Sequence, residues 1–207
     1  MLLFLERVGA AVCHQMEGRS LSWGTGTLPL CARCTGIYLG AFLAFCFFFL
    51  RKRMQGSRPF SWGQMGLLLC AVLPLAVDGV GSYLGFWQSN GLLRILTGSL
   101  LGAALPGFFL LAGNFDPTAE KGTPIFQKTK ELVCLLLGAV CLGLLLLQTE
   151  ALRSLGAVCS ILGEVLFWAG VLWLILRSLL AKRQLPLWQG AVLLSFCFLY
   201  AVGGWLQ

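Results

Sequence analysis

The chain has 207 residues, of which 58% are hydrophobic and 11% charged, and its mean hydropathy is +0.85. Soluble domains carry about 25% charged residues, so this composition argues against an ordinary soluble domain and indicates that lipid is the solvent. The formal net charge of +7 does not indicate a nucleic-acid partner, because the basic residues lie in short segments between apolar stretches.

Six apolar stretches are close to the roughly 20 residues that cross a hydrocarbon core about 30 Å thick. We therefore predict an all-α, polytopic integral membrane helix bundle with about six transmembrane helices. The loops are too short for a second, soluble domain, so residues 1–207 are predicted to form a single membrane domain. Its predicted spans are residues 29–50, 64–83, 91–113, 131–148, 157–178 and 186–206.

The segment 1–28 precedes the first span and is predicted to be an extracytoplasmic helix and loop. Residues 1–12 lack a basic n-region and their apolar run is broken by two charges, so they do not resemble a secretory signal. They predict a short amphipathic helix on the membrane surface or against the bundle. Residues 15–28 are polar and glycine-rich, which predicts a loop. Pro29 suits the start of the first helix, where its missing N–H costs nothing.

The first and third spans contain a weak internal repeat. Residues 35–41 (TGIYLGA) match residues 97–103 (TGSLLGA) at five of seven positions. Each copy contains G-x-x-x-G, which lets membrane helices approach closely. The pattern predicts a packing face; a parallel structural repeat and chance in a Gly/Leu-rich chain stay open as alternatives.

The basic residues between the spans are unevenly distributed. Ten lie in or beside the first, third and fifth loops, and three lie on the opposite side. Under the positive-inside rule this predicts a multi-pass protein of the cytoplasmic membrane with an extracytoplasmic N-terminus. The ten are Arg51, Lys52, Arg53, Arg58, Lys121, Lys128, Lys130, Arg177, Lys182 and Arg183, and the three are Arg7, Arg19 and Arg153.

Ionisable residues inside the predicted spans are candidates for function, because each costs roughly 2.5–3.5 kcal/mol on insertion scales. Asp78, Arg94 and Glu164 all fall in the outer half of their spans. The spacing of Asn90, Arg94 and Thr97 puts them in one stripe of a helix, which could line a cavity.

Two interpretations of these residues stay open. Arg94 either forms an ion pair with Asp78 that locks two helices, or holds an anionic ligand or lipid head group, for which a guanidinium is well suited. Glu164 either belongs to the same pocket or is a hydrogen-bonded carboxyl with no further task.

Four N/S ligands cluster before and at the start of the first span: Cys13, His14, Cys31 and Cys34. A Cys-x-x-Cys pair with one more Cys and one His supplies the ligand types that zinc prefers, with iron as a second choice. Adjacent residues seldom both reach one ion, so a three-ligand site with an open position for water or Asp78 is also predicted.

The Cys-x-x-Cys pair has two other interpretations. Beside Arg33 and near a helix N-terminus, Cys31 and Cys34 could be a redox dithiol that passes electrons to quinone, with Arg33 or Arg94 holding a quinone carbonyl. They could also form a structural disulfide or be inert thiols. The remaining cysteines are predicted to be small hydrophobic residues of the spans.

The motif resembles the signature of an uncharacterised bacterial family of predicted membrane proteins, a domain of unknown function. The resemblance rests on C-H-Q-x3-R-S from Cys13 and on P-L-C-A-R-C-T-G-I-Y-L-G from Pro29. D-G at Asp78, N-x3-R at Asn90 and T-G-x3-G at Thr97 extend it, so that it covers roughly residues 10–110. The resemblance supports the choice of residues and implies no activity.

Together these patterns predict an outer-facing Cys/His metal site beside a polar pocket of Arg33, Asp78, Asn90, Arg94, Thr97 and Glu164. The predicted function is the handling of an anionic small molecule or lipid head group by a transporter or a membrane-embedded metalloenzyme. A quinone-linked oxidoreductase and a structural or assembly subunit are the alternatives. The expected partners are the bilayer and that ligand, without nucleic acid, and a homo-oligomer is compatible with the sequence.

Overall fold

A computed structural model describes residues 2–15, 17–23, 26–115, 122–179 and 187–206, and within them the chain is mainly helical. The α-helices are α1 (Leu2–Ala10), α2 (Ala32–Leu50), α3 (Trp62–Tyr83), α4 (Gly91–Asn114), α5 (Thr129–Leu145), α6 (Glu150–Leu179) and α7 (Leu187–Leu206). Between α1 and α2 lie a short 3-10 helix, Glu17–Arg19, and the strands β1 (Ser20–Trp23) and β2 (Gly26–Cys31).

Five of these helices are long and apolar enough to cross a membrane, namely α2, α3, α4, α6 and α7. The prediction of an all-α polytopic membrane bundle is therefore confirmed. Helix α5 occupies most of the predicted span 131–148 but has 17 residues and ends at Leu145. Helix α6, with 30 residues, begins seven residues before the predicted start at 157.

The segment before α2 differs from the prediction. Residues 20–23 and 26–31 pair as an antiparallel hairpin rather than forming a loop throughout 15–28. Pro29 lies inside β2, and α2 begins at Ala32. The alternate residues Leu28 and Leu30 are buried, which is the period of a strand with one face on a core.

Helices α2 and α4 are held together by the two G-x-x-x-G segments. A Cβ on Gly36 would collide with the carbonyl oxygen of Ile95, and one on Gly102 with that of Ile37. Because residue numbers rise together along both helices at the contact, the pair is parallel. The predicted packing face is thus observed, and the two copies of the repeat pack against each other.

The first and third loops meet at one end of the bundle, here called the basic end. Arg53 donates to the carbonyl oxygen of Pro124 at 3.0 Å and lies 3.9 Å from the carboxylate of Glu131. At the same end Arg177 donates to Asn114, at 3.0 Å. Lys121, Lys182 and Arg183 lie outside the described residues.

Helix α1 packs against the bundle through α7. Its Arg7 donates a 3.0 Å hydrogen bond to the hydroxyl of Tyr200 and stacks on that ring. The backbone at Arg7 touches Gly203, where a Cβ would collide with the carbonyl oxygen. Of the two predicted positions for this helix, the structure adopts the one against the bundle.

Candidate functional site

Three cysteine thiols converge at the end of the bundle opposite the basic end, here called the motif end. The Sγ atoms of Cys13, Cys31 and Cys34 all lie within 4.8 Å of one another. Cys13 is buried, whereas Cys31 and Cys34 are partly exposed. The three sulfurs therefore form a triangle with a buried corner and a more open edge.

The chain that follows α1 brings Cys13 to the hairpin. Helix α1 ends in a turn in which the Cys13 N–H donates to the carbonyl oxygen of Gly9, at 3.0 Å. Gln15 has a φ of 46°, and its side-chain amide donates to the carbonyl oxygens of Glu6 and Pro29, both at 2.8 Å. The Gln15 side chain thus fixes α1 against β2. Gln15 stands in the C-H-Q motif, and its polar side chain there is the only sequence signal for this role.

Cys31 occupies the N-cap position of α2, and Cys34 the third helical residue. The hydrogen bond with the Cys13 thiol, followed by that with Cys34, lowers the pKa of the Cys31 thiol to about 2, and backbone N–H groups act in the same direction. The same Cys31 contact raises the pKa of Cys13. A helix N-terminus also favours a negative charge, so ionisation is easier at Cys31 than at Cys13.

The thiol triangle fits a metal ion such as zinc. Tetrahedral thiolates at about 2.3 Å from zinc would have their sulfurs about 3.8 Å apart, so a spacing of up to 4.8 Å needs a contraction of at most about 1 Å. The Cys31 N–H donates to the Cys13 sulfur at 3.3 Å, a contact that strengthens when the sulfur is negatively charged. Three thiolates leave one position of a tetrahedral ion open.

His14 lies outside this group. The structure places it exposed, next to the buried Cys13. Asp78, the other ligand considered for the fourth position, also lies outside the group of three.

Asp78 pairs with Arg33, not with Arg94. The two side chains are 2.5 Å apart, and Arg33 also donates to Ser82 at 3.4 Å. Of the two interpretations of Arg94, the ion pair with Asp78 is not formed. Instead, Arg33 projects from the first turn of α2 toward α3 and reaches the carboxylate, which is only 2% exposed.

Arg94 lies beside this pair with its Nε buried. That nitrogen has no hydrogen-bond partner among the described residues. Arg94 is close enough to Arg19, Arg33, Asp78 and Cys31 to interact with each of them electrostatically. The structure therefore brings the arginines and the aspartate of the predicted pocket together beside Cys31.

Asn90 and Thr97, the other residues of the predicted stripe, form hydrogen bonds with the backbone of α4. The Asn90 side chain is exposed and caps α4 by accepting the N–H of Leu93, at 2.8 Å. Thr97 is buried and donates to the carbonyl oxygen of Leu93, at 2.8 Å. It also lines a groove between α3 and α4. Ser89, which is not among the predicted site residues, approaches the Asp78 carboxylate.

Glu164 lies elsewhere, in the contact between α2 and α6. It is fully buried, and neither carboxylate oxygen has a hydrogen-bond partner among the residues that the structure describes. Its neighbourhood includes Tyr38, which also approaches Trp168. The next helix residue toward the N-terminus, Gly163, touches the backbone of Tyr38.

Comparison with known proteins gives a family but no activity. Residues 13–108 match the model of a family described as "Predicted membrane protein (DUF2085)". An uncharacterized protein of Methanothermobacter thermautotrophicus is 36% identical over 94 residues, which cover 45% of this chain and 80% of that protein. An uncharacterized protein of Methanocaldococcus jannaschii is 33% identical over 118 residues, which cover 56% of this chain and 72% of that protein. No solved structure matches the chain.

The match begins at Cys13 and contains all the predicted site residues except Glu164. Both relatives are archaeal, so these matches do not support the expectation of a bacterial family. The relatives exceed 30% identity and the chain covers more than two thirds of each. This chain belongs to the DUF2085 family of predicted membrane proteins.

Proposed function

We propose that Cys13, Cys31 and Cys34 bind one zinc ion (or iron) and leave one coordination position open to water or a ligand. The observation that carries the proposal is the convergence of the three sulfurs to within 4.8 Å, with Cys13 brought to the start of α2 from 18 residues before Cys31. In catalytic zinc sites, three protein ligands and an open position are the usual arrangement, whereas structural sites have four protein ligands.

The metal would serve the handling of an anionic small molecule or lipid head group, by a transporter or a membrane-embedded metalloenzyme. Arg33 and Arg94 support this proposal because they lie at the same end of the bundle as the thiols, and Arg94 is in electrostatic range of Cys31. An anion held by these guanidinium groups would be next to the metal.

The site is proposed to face the outside of the cytoplasmic membrane, together with the N-terminus. Support comes from the loops at the basic end, which carry Arg51, Lys52, Arg53 and Arg58, whereas the motif end carries the thiols. Cytoplasmic loops carry the excess of Lys and Arg.

Metal analysis of the purified full chain tests the proposal. We expect about one zinc per chain in the unaltered protein and loss of zinc in Cys13→Ser and in the Cys31→Ser/Cys34→Ser double variant. Removal of a thiolate removes about a third of the ligand set, and thiolates are the strongest zinc ligands present.

Two matched variants serve as controls. His14→Ala alters the neighbour of Cys13, and Cys141→Ser removes an exposed thiol of α5. Both should keep their zinc. Loss of zinc in His14→Ala with retention in Cys13→Ser would contradict the three-thiol site, as would metal-free protein in every preparation.

A second candidate is a quinone-linked thiol–disulfide oxidoreductase. The observation in its favour is the position of Cys31 at the helix N-cap with Cys34 three residues later, since a helix N-terminus stabilises the attacking thiolate. In that reaction the two thiols would form a disulfide, and a quinone would take up the two electrons and two protons.

The same preparations separate the two candidates. The redox proposal requires metal-free protein whose Cys31–Cys34 pair is oxidised by a soluble quinone, with a loss of two free thiols per chain. Zinc-loaded protein whose thiols resist quinone supports the metal centre and contradicts the redox proposal.

A further inference from the structure

Two buried guanidinium nitrogens lack partners at the motif end. They are Arg33 Nε and Arg94 Nε, and neither has a hydrogen-bond partner among the described residues, whereas Ser89 lies near the Asp78 carboxylate. More than about nine in ten buried polar groups in folded proteins are paired, with protein or with ordered water. The two unpaired guanidinium N–H groups beside one ion pair are therefore available as donors to a polar molecule.

The charges around these atoms favour an anion. Arg94 interacts electrostatically with Arg19 and Arg33, which are like charges, and with Asp78 and Cys31. Asp78 is already paired with Arg33. Positive charge stays in excess even when Cys31 is a thiolate, so an anion at this place would relieve repulsion between the guanidinium groups.

An apolar groove of about 440 Å³ lies between α3 and α4, and it borders this place through Asp78, the partner of Arg33. Its walls include Leu73, Val77 and Leu93, and its polar lining is Asp78 and Thr97. The volume lies within the range of about 300–1,000 Å³ that is usual for ligand sites. Leu73 and Val77 are each 57% exposed on a helix that spans the membrane, so the groove opens toward lipid.

We propose that the groove and the arginines together bind an anionic phospholipid that enters sideways from the bilayer. The phosphate lies at Arg94 and Arg33, and an acyl chain lies in the groove between α3 and α4. This inference rests on the anion pocket of the proposed function, and it names the ligand class of that pocket. Arg94 carries the recognition, because Arg33 is partly engaged by Asp78 whereas the Nε of Arg94 is free to donate.

A soluble anion fits less well than a lipid. An inorganic phosphate would fill the polar end and leave the groove to the bilayer, whereas a phospholipid uses both parts. The apolar walls next to the charged end match the two chemical parts of a phospholipid molecule.

The test is lipid binding to the full chain in detergent, measured by native mass spectrometry. Phosphatidylglycerol and phosphatidylcholine with the same acyl chains are titrated in parallel, with inorganic phosphate as a competitor. We expect phosphatidylglycerol to bind at least about tenfold more tightly, because both lipids carry the phosphate but only phosphatidylcholine adds a quaternary ammonium cation, which the guanidinium groups repel. Inorganic phosphate should not displace it.

Three variants examine the two parts of the site. Arg94→Gln should lower the affinity for phosphatidylglycerol about tenfold, and Arg94→Lys should lower it less. Val77→Trp should reduce lipid binding by filling the groove. Arg58→Gln makes the same change of charge on an exposed residue at the other end of the bundle and should have no effect.

Zinc and the helical circular dichroism signal are measured in each sample, because an unchanged helical signal shows that the variant is folded whether or not the chain holds zinc. Equal affinity for the two lipids, or an Arg94→Gln variant with unchanged binding, would overturn the inference. So would displacement of the lipid by inorganic phosphate, which would indicate a soluble anion instead. Lipid selectivity without zinc would leave the inference standing and contradict only the metal centre.

Discussion

Glu164 has an unusual environment for an acidic side chain. It is buried in the contact between α2 and α6, and its carboxylate oxygens have no hydrogen-bond partner within the described ranges. A buried polar group without a partner costs about 1–3 kcal/mol of stability. Glu164 therefore lowers the free energy of unfolding, and a residue that does so is often kept for function rather than for packing.

Replacement of Glu164 should stabilise the protein. We expect Glu164→Leu, which has a similar volume, to raise the midpoint of thermal unfolding by a few degrees, because an unpaired polar group is removed from an apolar contact. Unfolding is followed by circular dichroism of the full chain in detergent. Glu164→Gln keeps the shape and a polar head and serves as the control, with little change expected. A marked loss of stability in Glu164→Leu would show that the carboxyl has a partner.

The partners of single charged residues were the least predictable feature. Hydropathy and span position identified Asp78 and Arg94 as intramembrane charges, and both do lie at the motif end. The sequence could not tell that Arg33, in the first turn of α2, would reach Asp78. That pairing depends on the rotation of α2 against α3, which no local pattern specifies.

At the scale of elements, the parallel contact between α2 and α4 dominates the bundle. The glycines of both helices meet backbone carbonyl oxygens of the other helix, so no side chain separates the two backbones. Van der Waals contact over such a face is a main source of helix association in lipid. The repeat in the sequence predicted this face, since small residues four apart lie on one side of a helix.

A side chain on this face should separate the helices. We expect Gly102→Val to destabilise the protein by about 1–3 kcal/mol or more, because its Cβ would overlap the carbonyl group of Ile37. The measurement is thermal unfolding in detergent. Gly66→Ala is the control, since nothing lies within 4 Å of a Cβ at that position of α3. There the substitution should be neutral or stabilise by up to about 1 kcal/mol. Equal effects of the two substitutions would contradict the close contact.

The ends of the elements were predictable to different degrees. Helices α3 and α4 begin and end within two residues of the predicted spans, because Ser61 and Asn90 cap them where the apolar run starts. The first span was placed three residues too early. Hydropathy does not distinguish a strand from a helix over Leu28–Leu30, and a proline suits both an edge strand and a helix start.

The whole molecule has two chemically different ends. The described thiols and the Arg33–Asp78 pair lie at the motif end, and the ion pairs of Glu131 lie at the basic end. This polarity agrees with the charge distribution of the loops. The orientation in the membrane is still a prediction.

Labelling of introduced cysteines in whole cells tests the orientation. Ser22→Cys is exposed in the hairpin at the motif end, and Arg58→Cys is exposed at the basic end. A membrane-impermeant maleimide should label Ser22→Cys in intact cells and Arg58→Cys only after permeabilisation, because loops rich in Lys and Arg stay in the cytoplasm. The parent protein gives the background from native thiols. The reverse pattern would invert the topology.

The second half of the chain supports the motif end although the family match stops at residue 108. Arg153 of α6 donates to both the carbonyl oxygen and the hydroxyl of Ser22 in the hairpin, at 3.0 Å each. It also donates to the carbonyl oxygens of Leu146 and Leu147, each at 3.2 Å. One arginine outside the matched region thus joins the hairpin to the turn after α5.

Helix α3 is fastened by polar contacts at its two ends, and these contacts differ in how readily they can be exchanged. At the basic end the buried Gln64 donates to the backbone of Phe126, a partner that no diffusing molecule replaces. At the motif end Asp78 depends on Arg33, whose guanidinium any bound anion would also attract. An anion bound in the proposed pocket would therefore compete with Asp78 for Arg33, and we expect its binding to loosen this end of α3.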